Sequence, residues 1–477
     1  MRRSIIAILL TCTASIAAAA PAPTLSTARQ AETRAMFERL IAFPTVIGRG
    51  QVPAMAQYLA DQYVAKGFAA ADVQVIPYDT GSATTGNEKT AALVVRWRAA
   101  GKPAKRPILL LGHMDVVEAK REDSTTDPFV VTERDGYLYG RGAIDMKNGI
   151  AGITQALFEL KATGWKPKRD IVVFFTGDEE TNGIAADKGA GEWLDRLGRP
   201  EFWLNADSGG GEKSAASGTV SFAMQTAEKT FAGYTLTVRN RGGHSSKPRK
   251  DNAIYSLSHA LDRIEKHRFT PMLNETTRAY FGNRAKTEKG ALGPSMRAWL
   301  ANPEDGAAAD LIEADESYVG LTRTRCVATR LFAGHADNAL PQIATALINC
   351  RIFPGVDPNQ VQADLTAIVA DPTVVVTRND DYVSSIVSPL RPDVVAAFDR
   401  AVHALHPGVA ITPEMSTGAT DARPFRVAGI PIYGTDGVLT VSPDDNRAHG
   451  KDERLPTASL GQNVVHWTLL LRDLAGK

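Results

Sequence analysis

Pro107-Ile108-Leu109-Leu110-Leu111-Gly112-His113-Met114-Asp115 is the stretch that decides the fold. Its first half is apolar without alternation, which predicts a strand buried on both faces, as in a parallel sheet covered by helices. Ligands of such sheets bind beyond the carboxyl ends of the strands. Here a histidine and an aspartate stand at that place. Three further runs read the same way: Ile171-Val172-Val173-Phe174-Phe175, Phe202-Trp203-Leu204 and Ile430-Pro431-Ile432-Tyr433. A helix between the first two carries Ile150, Ile153, Leu157 and Leu160 on one face, and an earlier one with Met55, Leu59 and Tyr63 stops at Gly67. The expected class is α/β with a mostly parallel sheet.

A second kind of pattern begins near residue 225. Tyr234, Leu236 and Val238 alternate with polar residues, predicting a strand with one wet face. A helix with Ile254, Leu257, Leu261 and Ile264 follows, then strands over 321–331 and 344–353. Asp357-Pro358 opens a helix with Val361, Leu365 and Ile368 inward, and 373–377 closes the unit as a strand. The order β-α-β-β-α-β is that of a ferredoxin-like α+β unit. It looks inserted at 225–384 into the α/β domain, whose first part is 23–224 and whose second is 385–477. Stretch 269–320 has helical pieces without an assigned place.

Composition narrows the partners. Lys+Arg number 54 against 53 Asp+Glu in 477 residues, and this balance argues against nucleic acid and acidic membranes. Three cysteines exclude a disulfide scaffold or a zinc ribbon. Residues 1–22 read as a signal peptide: Arg2-Arg3, an apolar run from Ile5 to Leu10, then Ala17-Ala18-Ala19-Ala20. No run is long enough to leave a membrane span after processing. The expected location is outside the cytoplasm, in a bacterial periplasm.

The strand ends carry the chemistry. Besides Gly112-His113-Met114-Asp115 they present Gly177-Asp178-Glu179-Glu180 and Asn205-Ala206-Asp207. Asp145 lies in Gly140-Arg141-Gly142-Ala143-Ile144-Asp145, and His449 in Asn446-Arg447-Ala448-His449-Gly450. One such histidine is ordinarily a packed or solvated residue, and one Glu-Glu pair a surface turn. Together they form the ligand set usual in hydrolytic zinc sites.

With these five motifs in this order, the sequence resembles the M20 metallopeptidases: carboxypeptidases, dipeptidases, aminoacylases and related deacylases. The resemblance implies two zinc ions, with manganese or cobalt fitting similar sites. His113 and Asp207 would hold one, Glu180 and His449 the other, and Asp145 would bridge them. Glu179 is then the general base and Asp115 the group that fixes the His113 imidazole. The resemblance also implies a catalytic domain, 23–224 and 385–477, interrupted by a lid domain at 225–384. It makes His244 of the lid an oxyanion stabiliser, which in dimeric members reaches the neighbouring subunit, so a homodimer through the lid is implied. Asn338 and Arg351 match positions that hold substrate carbonyl and carboxylate groups, with a solvent-facing strand arginine as the plain alternative. Gly418 and Thr420 match a glycine-rich substrate loop.

The implied function is cleavage of an amide bond next to a free carboxylate in small peptides. Hydrolysis of N-acyl amino acids uses the same groups and is the alternative. A non-catalytic metal- or peptide-binding pseudoenzyme would be expected to lack a ligand or the base. No Gly-x-Ser-x-Gly elbow stands at a strand end, and Glu212 occupies the glycine place of a Walker pattern in Gly209-Gly210-Gly211-Glu212-Lys213-Ser214. Finally, a hairpin folded about Asn338 places Cys326 opposite Cys350, within reach of a cross-strand disulfide.

Overall fold

Successive side chains of a strand point to opposite faces, so a strand apolar at every position needs a hydrophobic layer on both sides. The computed structural model, which describes residues 22–81, 88–103, 105–215 and 217–476, provides both layers. Ile108 and Leu110 of strand Ile108–His113 enter one core, while Leu109 and Leu111 enter the other. Ile171, Val173 and Phe175 divide from Val172 and Phe174 in the same way. Helices Thr27–Ile41, Val52–Ala65, Lys147–Ala162, Pro392–Leu405 and Thr457–Ala475 cover the first face. The shorter helices Ile184–Ala190 and Arg423–Val427 cover the second, with Trp193, Trp203 and Phe425 between.

Strand Ile108–His113 pairs parallel with Ile171–Thr176 on one side and Phe202–Asn205 on the other. Ile432–Gly434 continues the parallel run. Beyond this block the pairing turns antiparallel, to Lys89–Trp97 at one end and Val220–Glu228 at the other. Among the described residues the sheet has ten strands and is mixed. The parallel block is its centre, and it brings the carboxyl ends of three strands to one edge.

Leu110 is fully buried in the middle of this block. Leu110→Ala is therefore expected to cost about 2–5 kcal/mol, read as a lower urea midpoint. Val375→Ala, at an exposed position of the smaller sheet, is expected to stay within about 0.5 kcal/mol of the parent.

The chain leaves the large sheet at Glu228 and enters a four-stranded one at Thr230, so strand Val220–Glu228 stays whole across position 225. The second sheet runs Arg325–Ala333, Ile343–Ile352, Thr230–Arg239, Val374–Arg378, antiparallel throughout. Helices Ala253–Lys266 and Pro358–Val369 pack on it around Tyr234, Leu236, Leu257 and Leu365. This is the order of a ferredoxin-like unit. Asp357 caps the second helix, accepting from Asn359 N–H at 2.8 Å. Cys326 and Cys350 face each other in register and are disulfide-bonded.

Stretch 269–320 forms helices Glu275–Thr287, Leu292–Ala301 and Gly306–Glu313, gathered around Phe281, Trp299 and Ile312. The first of them packs against strand Ala410–Ser416 of the large sheet. No helix among the described residues is long and apolar enough to cross a membrane. Residues 1–21, which carry nearly all of the expected signal peptide, lie outside the described residues.

Candidate metal centre

His113 ends its strand with the imidazole buried. Its Nδ1 lies 3.0 Å from the backbone carbonyl of Asp115 and donates there, which leaves Nε2 as the free lone pair. Nε2 is 3.0 Å from Asp145 Oδ1 and 3.5 Å from Asp207 Oδ1. On the other side, His449 Nε2 lies 3.0 Å from Asp145 Oδ2 and 3.0 Å from Glu180 Oε2. The two oxygens of Asp145 therefore face two different imidazoles. Three groupings of ligand atoms arise: His113 with Asp145 and Asp207, Asp145 with Glu180 and His449, and His113 with Glu179 and Glu180. Within each, the atoms lie within 4.8 Å of one another.

The charges fit cations. Burial pushes Glu179 and Asp207 up, and takes Glu180 up to about 7, each aided by neighbouring carboxylates against the pull of His113. His449 rises to about 9 on its hydrogen bond to Asp145 and the charge of Glu180. Burial would lower His113, but Asp207, Asp115 and Asp145 outweigh it and hold the group well above its usual range. Crowded carboxylates that retain protons and imidazoles that gain them mark a place built for positive charge. A donor set of imidazole nitrogens and carboxylate oxygens suits zinc, and a carboxylate open at both oxygens suits a shared ligand.

Asp115 holds the His113 imidazole through its main-chain carbonyl. Its carboxylate is 3.6 Å from His113 Nδ1, too long for a hydrogen bond. It accepts instead from the backbone N–H groups of Glu179 and Glu180, at 3.2 and 3.0 Å. The imidazole is oriented by the Asp115 main chain, and the carboxylate aims the glutamate pair.

A residue the motifs passed over supports Asp145. Glu453 is buried; its Oε1 accepts from Ile144 and Asp145 N–H at 2.7 and 3.0 Å, and its Oε2 accepts from Gly142 N–H and from Arg141 at 2.6 Å. It stands in a polar stretch, and nothing in its neighbours distinguishes it from a solvated glutamate. Asp421, within the quoted Gly418-Ala419-Thr420-Asp421, is likewise buried and accepts from Thr176 Oγ1 at 2.5 Å.

The expected substrate-contacting residues take other partners. His244 is exposed in a two-stranded ribbon with Ala339, its Nδ1 bonded to Ser246. The Asn338 carbonyl accepts from Ser245 N–H at 2.9 Å, so these two are neighbours. Arg351 lies over the Phe231 ring at 5.4 Å, opposite Arg325, and burial lowers it. Thr420 is held by Glu228, its N–H and Oγ1 both 3.1 Å from Oε2, and Glu228 pairs with buried Arg426. Gly418 N–H donates to Ser416 Oγ. Among the described residues none of these five hydrogen bonds to a member of the carboxylate–imidazole cluster.

The chain is similar to known proteins in sequence and in fold. The signature described as peptidase family M20/M25/M40 matches residues 109–473. An N-fatty-acyl-amino acid synthase/hydrolase, PM20D1 of Xenopus tropicalis, is 30% identical over 77% of this chain and 72% of its own. A probable carboxypeptidase S-like protein of Dictyostelium discoideum is 28% identical over 80% and 74%. Among solved structures, an M20 family metallo-carboxypeptidase of Sulfolobus solfataricus superposes with a TM-score of 0.67 at 16% identity, covering 92% of this chain and 98% of that one.

Proposed function

The chain belongs to peptidase family M20/M25/M40 and is a metal-dependent hydrolase; we propose that it is an exported dinuclear zinc enzyme cleaving the amide bond next to a free carboxylate in small peptides. The observation that carries this reading is Asp145, whose two oxygens each meet a different imidazole at 3.0 Å. His113 and Asp207 hold one ion in this reading, and Glu180 and His449 the other. When bound, zinc polarises a carbonyl and lowers the pKa of water to about 7. Glu179 takes the proton of the attacking water and returns it to the leaving amine. Arg351 receives the substrate carboxylate, and Asn338 its carbonyl.

His244 and Asn338, together and away from the cluster, support a shared role supplied to another subunit. The edge strand Arg325–Ala333 leaves Val327, Leu331 and Phe332 exposed, which supports a homodimer through the 225–384 lid. The disulfide supports an oxidising compartment and thus export. N-acyl amino acids are the second reading, favoured by the 30% relative's printed name. The intact set of five ligands and Glu179 weighs against a pseudoenzyme.

The test measures hydrolysis of dipeptides and N-acyl amino acids against their C-terminal amides. Chelation is expected to abolish turnover and zinc to restore it. The free acids are expected to exceed the amides by at least about 30-fold in kcat/KM, the loss expected when a buried cation is left unpaired. Equal rates on acid and amide would overturn the carboxylate reading.

A further inference from the structure

The chain passes from the large sheet to the four-stranded one and back along two segments that are bonded to each other. The outgoing segment is Glu228-Lys229-Thr230, where strand Val220–Glu228 gives way to Thr230–Arg239. The returning one carries Ser385 and Ser388, between strand Val374–Arg378 and helix Pro392–Leu405. Ser385 donates its N–H to Thr230 Oγ1 at 3.1 Å and its hydroxyl to the Glu228 carbonyl at 3.3 Å. Ser388 N–H donates to the Thr226 carbonyl at 2.8 Å.

One buried arginine touches both segments. Arg426 Nη1 pairs with Glu228 Oε1 at 2.9 Å, and its Nε donates to Ser388 Oγ at 3.4 Å. Its Nη2 donates at 3.1 Å to Gln225 Oε1, which also accepts at 3.0 Å from the hydroxyl of Ser208, beside Asp207. Glu228 and Arg426 are 0% and 1% exposed. A charge pair buried this deeply is weak evidence of stabilisation by itself. What this one visibly does is hold a loop.

The second oxygen of Glu228 accepts from Thr420 N–H and Thr420 Oγ1, both at 3.1 Å. The same loop is tied to the strand ends that lead to candidate ligands. Asn205 Nδ2 donates to Thr420 Oγ1 at 3.4 Å, and Asn205 Oδ1 accepts from Asp207 N–H at 3.2 Å. Asp421 accepts from Thr176, the last residue of the strand before Glu179 and Glu180. Loop 418–421 is thus fastened to the metal centre on one side and to Glu228 on the other. Only a carboxylate serves there, because Arg426 and Thr420 are both donors and a glutamine amide turns its own N–H groups toward one of them.

Resting on the amide-hydrolase reading above, we propose that Glu228 is a positioning residue for that reaction: it seats the Thr420 loop at the strand ends, so that the segments joining the two sheets set the loop's place. Glu228→Asp keeps a charge beside Arg426 but is one methylene too short to hold Thr420 as well. When a substrate loop is seated only part of the time, KM rises in inverse proportion to the seated fraction. The probe is alanyl-leucine or N-acetyl-leucine, whichever the parent cleaves faster. In zinc-loaded Glu228→Asp, KM is expected to rise at least about tenfold, the effect of one lost hydrogen bond to a charged group. Its kcat is expected to stay within about threefold of the parent, the pattern of lost ground-state binding. Thr420→Val leaves no buried charge unpaired and is expected to raise KM too. In the double variant the two rises should not multiply, because one residue acts through the other. Amide exchange at Thr420 is expected to quicken in Glu228→Asp by at least about tenfold more than in strand Ile171–Thr176. Glu201→Gln removes an arginine-paired carboxylate at the end of strand Phe202–Asn205 away from Asp207, and is expected to keep the parent's KM and kcat. A folded, zinc-loaded Glu228→Asp or Thr420→Val with the parent's KM, whatever its melting temperature, overturns the proposal, as do rises that multiply. A zinc-loaded parent that cleaves neither probe overturns the hydrolase reading instead, and exchange at Thr420 still decides whether Glu228 seats the loop.

Discussion

Glu179→Gln is expected to lower kcat by about 10²–10⁴-fold while both metal equivalents stay bound. The substitution keeps size and shape and removes only the ability to accept a proton. Glu179 is placed for proton transfer: its backbone N–H is fixed by Asp115, and its carboxyl groups with His113 and Glu180. Burial, with Asp207, Asp421 and Glu180 nearby, pushes the carboxyl well above its ordinary range, which suits a base that must also give the proton up. If Glu179 only supported Glu180, the same variant would lose metal and keep its rate per bound metal. Metal content beside single-turnover rates separates the two, and a variant retaining a tenth of the parent rate would sink the assignment.

Asp145→Ala is expected to remove both metal equivalents at once, whereas His449→Ala removes one. Asp145 is common to two of the three groupings, His113 with Asp207 and Glu180 with His449, so its loss is expected to leave each ion two protein ligands. The consequence extends to stability, because a ligand bound only by the folded state stabilises it by about 2.7 kcal/mol per site at 100 times its Kd. Added zinc should raise the melting temperature of the parent protein strongly, that of His449→Ala less, and that of Asp145→Ala hardly at all. Equal shifts in all three would show that the ion binds elsewhere.

The parts of this architecture that could be read from sequence are those where one residue type meets one physical requirement. Ile108–Leu111 and Ile171–Phe175 have no polar residue to place in water, so they had to be central strands. The candidate ligands His113 and Glu180 stand at the ends of those two strands, and Asp207 just beyond Phe202–Asn205. Thr230–Arg239 was legible through its alternation, and Cys326 opposite Cys350 through the symmetry of a hairpin. Strands Gly210–Ser214 and Ala410–Ser416 were not, because glycine, lysine and proline give them no apolar rhythm and their neighbours alone define them. Helix Glu275–Thr287 buries two threonines beside Phe281 and so shows no apolar stripe. Glu453, and the hold of the Asp115 carboxylate on Glu179 and Glu180, were missed for a common reason: both act on backbone N–H groups, and main-chain partners leave no mark in the sequence.

The clasp by which Glu453 holds the Asp145 loop also sets an order of events during synthesis. His113 leaves the ribosome about 340 residues before Glu453 does, which at 5–20 residues per second is roughly 20 to 70 s. Throughout that interval Asp145 lacks the anchor for its backbone, and until residue 449 is made the cluster lacks His449. The nascent chain carries two of the three ligand groupings but neither His449 nor the clasp on the Asp145 loop. The complete cluster therefore waits for the final stretch of chain, which brings His449 and Glu453 back to the Asp145 loop.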